Sequence, residues 1–240
     1  MDTEWHRKDW VKVRGVPIVW PFTPNWERID HFRAREDDIV IATYPKSGTT
    51  WMSEIVDAVL NDGDIEKCQR DVIFQKVPML EFCVPGAVPP GTGKLPTFFS
   101  VTIQHILTWR GEEYLRTVQC LYHWIDEQSH PRAGSREEYV EKFLCGNVGD
   151  GPWGTHVKES EAVETKKNIL MTDPKREIRK VMTFLGKDLS EDVLDKICLH
   201  TSFKAMKENP TTNYTPLSSA IMDQSVSPFM RKGRIRPILR

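Results

Sequence analysis

No run of apolar residues in this 240-residue chain exceeds four, the longest being Ile39 to Ala42. A membrane helix needs about 20 in succession, so no spanning segment is expected. The start does not resemble a secretory leader either, because Asp2, Glu4, His6, Arg7 and Lys8 break any apolar stretch there. Neither sign of charge is in excess: 33 Lys+Arg against 34 Asp+Glu leave a net charge of −1. That balance speaks against a general attraction to nucleic acid or to an anionic membrane, while a local anion site stays open. The five cysteines (Cys68, Cys83, Cys120, Cys145, Cys198) form no CxxC pair, are odd in number, and accompany no histidine cluster at metal-ligand spacing. A disulfide framework and a metal site are therefore not expected, and the cytosol is the expected location. Repeats and low-complexity tracts are also lacking. Asn213-Tyr214-Thr215 fits the glycosylation pattern, but without a secretory signal it is read as unmodified.

What the chain does contain is the composition of an ordinary folded protein: 39% apolar, 10% aromatic and 28% charged residues. At 27.8 kDa one sizeable core is expected, with residues 1–240 forming a single domain. Loops are expected at the Pro/Gly-rich stretch from Val84-Pro85-Gly86 to Gly93 and at His130-Pro131-Arg132-Ala133-Gly134. Asp38-Ile39-Val40-Ile41-Ala42-Thr43 is a short apolar run bounded by charge and by Pro45, which suits a buried strand of a parallel sheet. Trp51, Met52, Ile55, Val56, Val59 and Leu60 then recur at helical spacing, and Asn61-Asp62-Gly63 offers a C-terminal cap. Ser135 with Glu138 makes a capping box ahead of a second helix that carries Tyr139, Val140, Phe143 and Leu144. Asp173 caps a third, with Pro174 in its first turn and Ile178, Val181, Met182 and Leu185 on one face before Gly186.

Between that first strand and first helix lies Tyr44-Pro45-Lys46-Ser47-Gly48-Thr49-Thr50-Trp51. The first amides of a helix have no intrahelical partners, and the macrodipole adds partial positive charge, so a phosphate placed there can take several backbone hydrogen bonds. Gly48 permits close approach, Ser47, Thr49 and Thr50 add hydroxyls, and Lys46 brings a mobile cation. A plain strand-to-helix turn would need none of these side chains. The nucleotide triphosphatase loop does not fit, because its lysine follows the second glycine of GxxxxGK, whereas Lys46 precedes Gly48. A small-molecule kinase is disfavoured on the same ground.

The segment Thr43 to Trp51 resembles the 5′-phosphosulfate-binding loop of the cytosolic sulfotransferases. The resemblance continues through Gly15-Val16-Pro17, Val77-Pro78-Met79-Leu80-Glu81-Phe82, Gly146-Asn147-Val148, Trp153 with His156, Asp173 to Ile178, His200-Thr201-Ser202-Phe203 and Ser227 to Gly233. Within the family the pattern is most similar to the first, phenol-type subfamily. The implied fold is α/β, a parallel sheet flanked by helices around a P-loop-like phosphosulfate loop. The implied reaction moves a sulfuryl group from 3′-phosphoadenosine 5′-phosphosulfate to a small hydroxyl or amine acceptor such as a phenol, without a metal. Lys46 would stabilise charge on the leaving phosphate, and Ser47, Gly48, Thr49, Thr50 and Trp51 would hold the 5′-phosphate and stack the adenine. Thr201, Ser202, Phe203 and Met206 would line the nucleotide. Phe229, Met230, Arg231, Lys232 and Gly233 would hold its 3′-phosphate. The acceptor pocket would be lined by Phe22, Met79, Phe82, His156 and Ile221.

The sequence also departs from the family in blocks. The Lys-Thr-His segment that carries the family's catalytic base is absent, and residues 94–119 do not align with the family; His105, the one histidine there, falls close to where the base belongs. Cys120-Leu121-Tyr122-His123 matches only the end of a Ser-Tyr-Tyr-His element, so Cys120 replaces a serine that contacts the 3′-phosphate, and no arginine is correctly spaced before it. Ile169-Leu170-Met171 runs straight into Thr172-Asp173 where relatives carry Tyr-Glu-Asp. The tail, residues 234–240, diverges and lacks the dimer motif, so the family homodimer is not expected. The expectation is a sulfotransferase whose nucleotide loop persists while turnover is weak or absent. The alternative is a non-catalytic nucleotide-binding or interaction variant of the same fold.

Overall fold

A computed structural model of the chain describes residues 11–13, 16–18, 38–43, 46, 48–79, 98–101, 134–145, 147–148, 173–219 and 222–231. A short antiparallel pair comes first, β1 (Val11–Val13) with β2 (Val16–Ile18), in the register Val11 to Ile18. The expected core strand is β3 (Ile39–Ala42), and it pairs in parallel with β4 (Phe98–Val101), Ile39 opposite Phe98 and Ala42 opposite Val101. Parallel neighbours require a crossover, and the helix that follows β3 lies within that connection. β4 falls inside the stretch 94–119, which does not align with the family.

That crossover helix is α1 (Thr49–Leu60), followed by two single-turn helices, α2 (Ile65–Cys68) and α3 (Ile73–Lys76). The helix expected from the Ser135 capping box is α4 (Arg136–Leu144): Ser135 Oγ accepts from the Glu138 amide at 3.2 Å, and Glu138 Oε2 accepts from the Ser135 amide at 2.7 Å. α5 (Pro174–Phe184) starts as expected, with Asp173 Oδ1 accepting from the Arg176 amide at 3.1 Å. Two further helices complete the described residues, α6 (Glu191–His200) and α7 (Phe203–Glu208), capped by Ser190 and Ser202.

α5 and α6 pack on one another and both pack on α1, which in turn packs on β3. The main core sits among them: Ile41 of β3, Ile55, Val56 and Val59 of α1, Ile178 and Met182 of α5, and Leu194 and Ile197 of α6. α1 is buried along its whole middle, Ser53 to Val59, so it carries polar side chains into the interior as well as its apolar stripe. Its end closes as the Asn61-Asp62-Gly63 signal predicts. Gly63 N donates to Ala58 O at 2.9 Å and Asp62 N to Val59 O at 3.1 Å, the paired bonds of a Schellman ending. Both Asp62 (φ 55°) and Gly63 (φ 75°) adopt the left-handed conformation. The expected loop at 84–93 and the segment Ile169-Leu170-Met171 lie outside the described residues.

Candidate functional site

The loop between β3 and α1 brings a helix start into the interior without a capping side chain. α1 begins after Gly48, which holds φ 103° and offers no side chain; Met52 N donates to Gly48 O at 2.9 Å, the first bond of the helical ladder. The amides of Thr49, Thr50 and Trp51 precede that bond and point out of the helix end. No acidic residue occupies the first turn. The other described helices of eight residues or more, α4, α5 and α6, each have a Ser or Asp side chain on their first amides. Among the described residues, nothing lies within 4 Å of where a Cβ on Gly48 would sit. An anion fits such a site, since backbone donors and the positive end of the macrodipole face the same space.

Lys46 flanks the helix end. Its backbone is left-handed, φ 60°, an uncommon state for a residue with a Cβ, and its Nζ lies 3.8 Å from the centroid of the Phe229 ring. A cation over an aromatic face is attracted by the ring quadrupole. The Phe229 ring in turn packs on Tyr214 with centroids 4.3 Å apart, and Tyr214 packs on Phe74 at 5.9 Å. The Tyr214 hydroxyl shares a 3.4 Å hydrogen bond with Thr50 Oγ1. Desolvation pushes the Tyr214 phenol above its ordinary value, partly opposed by that bond. Gln224 ties the two aromatic residues' segments together, accepting from the Phe229 amide at 3.3 Å and donating to the Asn213 carbonyl at 3.1 Å. The Asn213 side chain itself is engaged, donating to the Lys207 carbonyl at 3.0 Å and accepting from Thr215 Oγ1 at 2.7 Å.

On the other side of α1, Trp51 Nε1 donates to the Thr201 carbonyl at 2.8 Å. Thr201 is buried, with Oγ1 donating to the Ile197 carbonyl at 2.8 Å, and it leads directly into Ser202, the cap of α7. Thr49 Oγ1 shares a short hydrogen bond with Thr43 Oγ1 at the end of β3.

Three segments that the sequence assigned to one site thus meet in space: Lys46 with Gly48 to Trp51, Thr201 with Ser202, and Phe229 with its successors Met230 and Arg231. Phe203 and Met206 lie on α7, Phe203 exposed and Met206 buried. Met79 is half-buried beyond the end of α3. Ser47, Cys120, Lys232, Gly233, His105, Phe22, Phe82, His156 and Ile221 lie outside the described residues.

Sequence reasoning missed Tyr214, and it missed a buried ionic cluster beneath the site. Lys76 Nζ donates to Glu54 Oε1 at 2.8 Å, to Asp57 Oδ2 at 3.0 Å and to the Cys68 carbonyl at 2.6 Å, with the side chains of Lys76 and Glu54 fully buried. Arg70 adds a two-pronged contact to Asp57 at 2.9 and 3.3 Å, and His200 Nε2 lies 3.1 Å from Glu54 Oε2. Burial pushes the Glu54 carboxyl up, but the bond from His200 and the charge and bond of Lys76 outweigh it, leaving Glu54 below its ordinary value of 4.5. Burial and the neighbouring Asp57 charge push the Cys68 thiol up to about 12. The local pattern shows only that Glu54 and Asp57 are acids one turn apart on one side of α1.

The pattern of the sulfotransferase domain family matches residues 36–132 and 115–236 of the chain. Sulfotransferase 1B1 from Mus musculus is 46% identical to it, over 95% of the chain and 84% of the relative. Sulfotransferase 1 family member D1 from Mus musculus is 40% identical, over 95% and 85%. Among solved structures, retinol dehydratase in a complex with retinol and PAP superposes with a TM-score of 0.74 at 20% identity, covering 92% of this chain and 81% of that one. Mouse sulfotransferase SULT7A1 complexed with PAP gives 0.69 at 22% identity, over 95% and 86%. These two agree with the α/β architecture built from β3, β4 and α1. With a lysine-flanked, uncapped helix start in the matched region and relatives this similar along most of its length, the chain belongs to the sulfotransferase family.

Proposed function

We propose that the chain transfers a sulfuryl group from 3′-phosphoadenosine 5′-phosphosulfate to a small hydroxyl or amine acceptor, a phenol being the simplest case. The observation that carries the reading is that Lys46 and Phe229 on one side and Thr201 on the other lie against the uncapped first turn of α1. The acceptor oxygen would attack sulfur, a new S–O bond forming as the bond from sulfur to the 5′-phosphate oxygen breaks. The electron pair leaves with that phosphate, where Lys46 and the amides of residues 49–51 would stabilise the growing charge. The acceptor's proton needs a base, and His105 is assigned that role. Trp51, Thr201, Ser202, Phe203 and Met206 would line the adenosine, with Arg231 and Lys232 at its 3′-phosphate and Cys120 beside them. Ser47 would add a hydroxyl to the 5′-phosphate, and Met230 and Gly233 would shape the turn around the 3′-phosphate.

Phe22, Met79, Phe82, His156 and Ile221 are proposed to line the acceptor pocket. The reading takes residues 1–240 as one domain in the cytosol. Its partner is a small molecule rather than nucleic acid or membrane, which the net charge of −1 supports. No helix among the described residues is long and apolar enough to cross a membrane, and no cluster of metal-ligating side chains occurs among them.

The test is acceptor-dependent transfer: purified chain, the phosphosulfate donor and a panel of phenols and amines, with sulfated product and released 3′-phosphoadenosine 5′-phosphate both measured. Stoichiometric formation of the two supports the reading, and nucleotide binding without transfer supports the second one, a non-catalytic nucleotide-binding variant. The specific observation behind that alternative is the missing Lys-Thr-His segment together with Cys120 in place of a serine.

A further inference from the structure

Two side chains of α1 reach the end of α6 by separate hydrogen bonds. Trp51 Nε1 donates to the Thr201 carbonyl at 2.8 Å, and one turn further along α1 the Glu54 carboxylate lies 3.1 Å from His200 Nε2. Residues three apart on a helix share a face, and His200 and Thr201 are consecutive, so the two bonds clamp one helix to the end of another. Glu54 is ionised, since its other oxygen takes the ammonium of Lys76 at 2.8 Å. A carboxylate only accepts, which makes His200 Nε2 the donor. Charge balance does not require this histidine: the carboxylates of Glu54 and Asp57 are already matched by Lys76 and Arg70. The bond also contributes to stability, since a buried carboxylate left short of a partner is costly. What a hydrogen bond to a rigidly held carboxylate adds beyond that is position. Glu54 is fully buried and held by two partners, and the His200 side chain is only 8% exposed.

We infer that Glu54 and His200 are positioning residues of the nucleotide site. Through them α6 ends at a fixed distance from α1, and the Thr201 carbonyl is held where the Trp51 indole can reach it. That sets the gap between the helix start facing the phosphate and the 201–206 segment facing the adenosine. The inference rests on the nucleotide-binding part of the proposed function, and its test includes a readout that needs no nucleotide.

The full chain is compared with His200→Leu, His200→Gln and Ile178→Val, the last a buried change in α5 that touches neither bond. In nucleotide-free protein the indole N–H resonance of Trp51, assigned by its disappearance in Trp51→Phe, reports the Thr201 contact. Calorimetry with 3′-phosphoadenosine 5′-phosphate reports affinity. His200→Leu is expected to shift the resonance and weaken binding about tenfold, the scale of one charged hydrogen bond. His200→Gln, whose amide can donate from nearly the same place, restores both. Ile178→Val lowers the melting temperature and moves neither. If the leucine variant does not fold, His200→Asn, too short to reach Glu54, takes its place. A His200→Leu protein that melts lower but keeps the wild-type indole resonance and affinity would overturn the inference. Were the wild-type chain to bind no nucleotide, the functional reading would fall, while the indole resonance would still decide whether the clamp exists.

Discussion

At the scale of single residues, the proposed chemistry concentrates on Lys46. Its left-handed backbone (φ 60°) is a conformation that costs energy for any residue with a Cβ, and it is kept at the place where an anion would sit. The Phe229 ring, 3.8 Å from its ammonium, gives the long side chain a resting place beside the helix start. Lys46→Met is expected to lower the transfer rate about 100- to 1000-fold, the usual loss for one donor that acts on developing charge. Binding of 3′-phosphoadenosine 5′-phosphate should weaken far less; initial rates with a phenol acceptor, set beside calorimetry, check the split. Lys76 stands in contrast, because it faces Glu54 and Asp57 in the interior rather than a ligand. Lys76→Met leaves a buried carboxylate without its cation and should cost about 3–5 kcal/mol in urea unfolding.

At the scale of elements, two glycines at the two ends of α1 separate function from stability. Gly48 holds φ 103°, and among the described residues nothing lies within 4 Å of its missing Cβ, so the cost of alanine there is backbone strain. Gly63 holds φ 75°, and a Cβ there would sit 2.4 Å from Val193 Cγ1. Gly48→Ala should therefore reduce nucleotide affinity, with a stability cost of about 1–3 kcal/mol from the backbone alone. Gly63→Ala should lower the melting temperature more, yet leave the affinity of the folded protein unchanged. Thermal melts and calorimetry on the same samples decide between these expectations and a common structural effect.

The elements were also where the sequence spoke most clearly. β3, α1, α4 and α5 followed from local signals: an apolar run, a periodic stripe, the Ser135 to Glu138 capping box, and Asp173 with Pro174. α6 and α7 carry comparable signals in Ser190 and Ser202, with Leu194 and Ile197 one turn apart, but shorter stripes gave them less contrast with the surrounding polar chain. β4 was hidden for another reason. Phe98-Phe99-Ser100-Val101 is too short to distinguish from a helix by periodicity, and its pairing with β3 is a contact between distant parts of the chain.

At the scale of the whole molecule, the site was legible in its pieces and not in its assembly. Lys46 to Trp51 is contiguous, so as a candidate anion loop it shows in residue order alone. The bond from Trp51 to Thr201 spans 150 residues, that from Glu54 to His200 spans 146, and that from Thr50 to Tyr214 spans 164. No local pattern encodes such partners. The burial of Glu54 and Asp57 depends on partners in and around α2, α3 and α6, which lie far from them in the chain or beyond the reach of a local pattern.

Two buried carboxylates, Glu54 of α1 and Glu177 of α5, set how the fold responds to acid. Burial raises Glu54 and Glu177, but their hydrogen bonds and cations outweigh this, His200 and Lys76 at the first, Lys180 and Arg176 at the second, and both end below their ordinary value of 4.5. A folded-state value below the unfolded one means that the unfolded chain binds more protons, so stability rises with pH in that range. The contribution is fully present above pH 4.5 and is lost as the pH falls through the lowered folded-state values. Melting temperatures should be level from pH 7 to about 5 and drop steeply below 4.5; a flat profile down to pH 3 would contradict the ionised cluster.

The central claim, that segments around residues 46–51, 201–206 and 229–233 form one nucleotide site, is tested most directly by titrating the folded chain with 3′-phosphoadenosine 5′-phosphate in a calorimeter. One site per chain is expected, with a dissociation constant in the micromolar range, about −8 kcal/mol. No heat of binding at either of two temperatures, from protein shown by its circular dichroism to be folded, would contradict it.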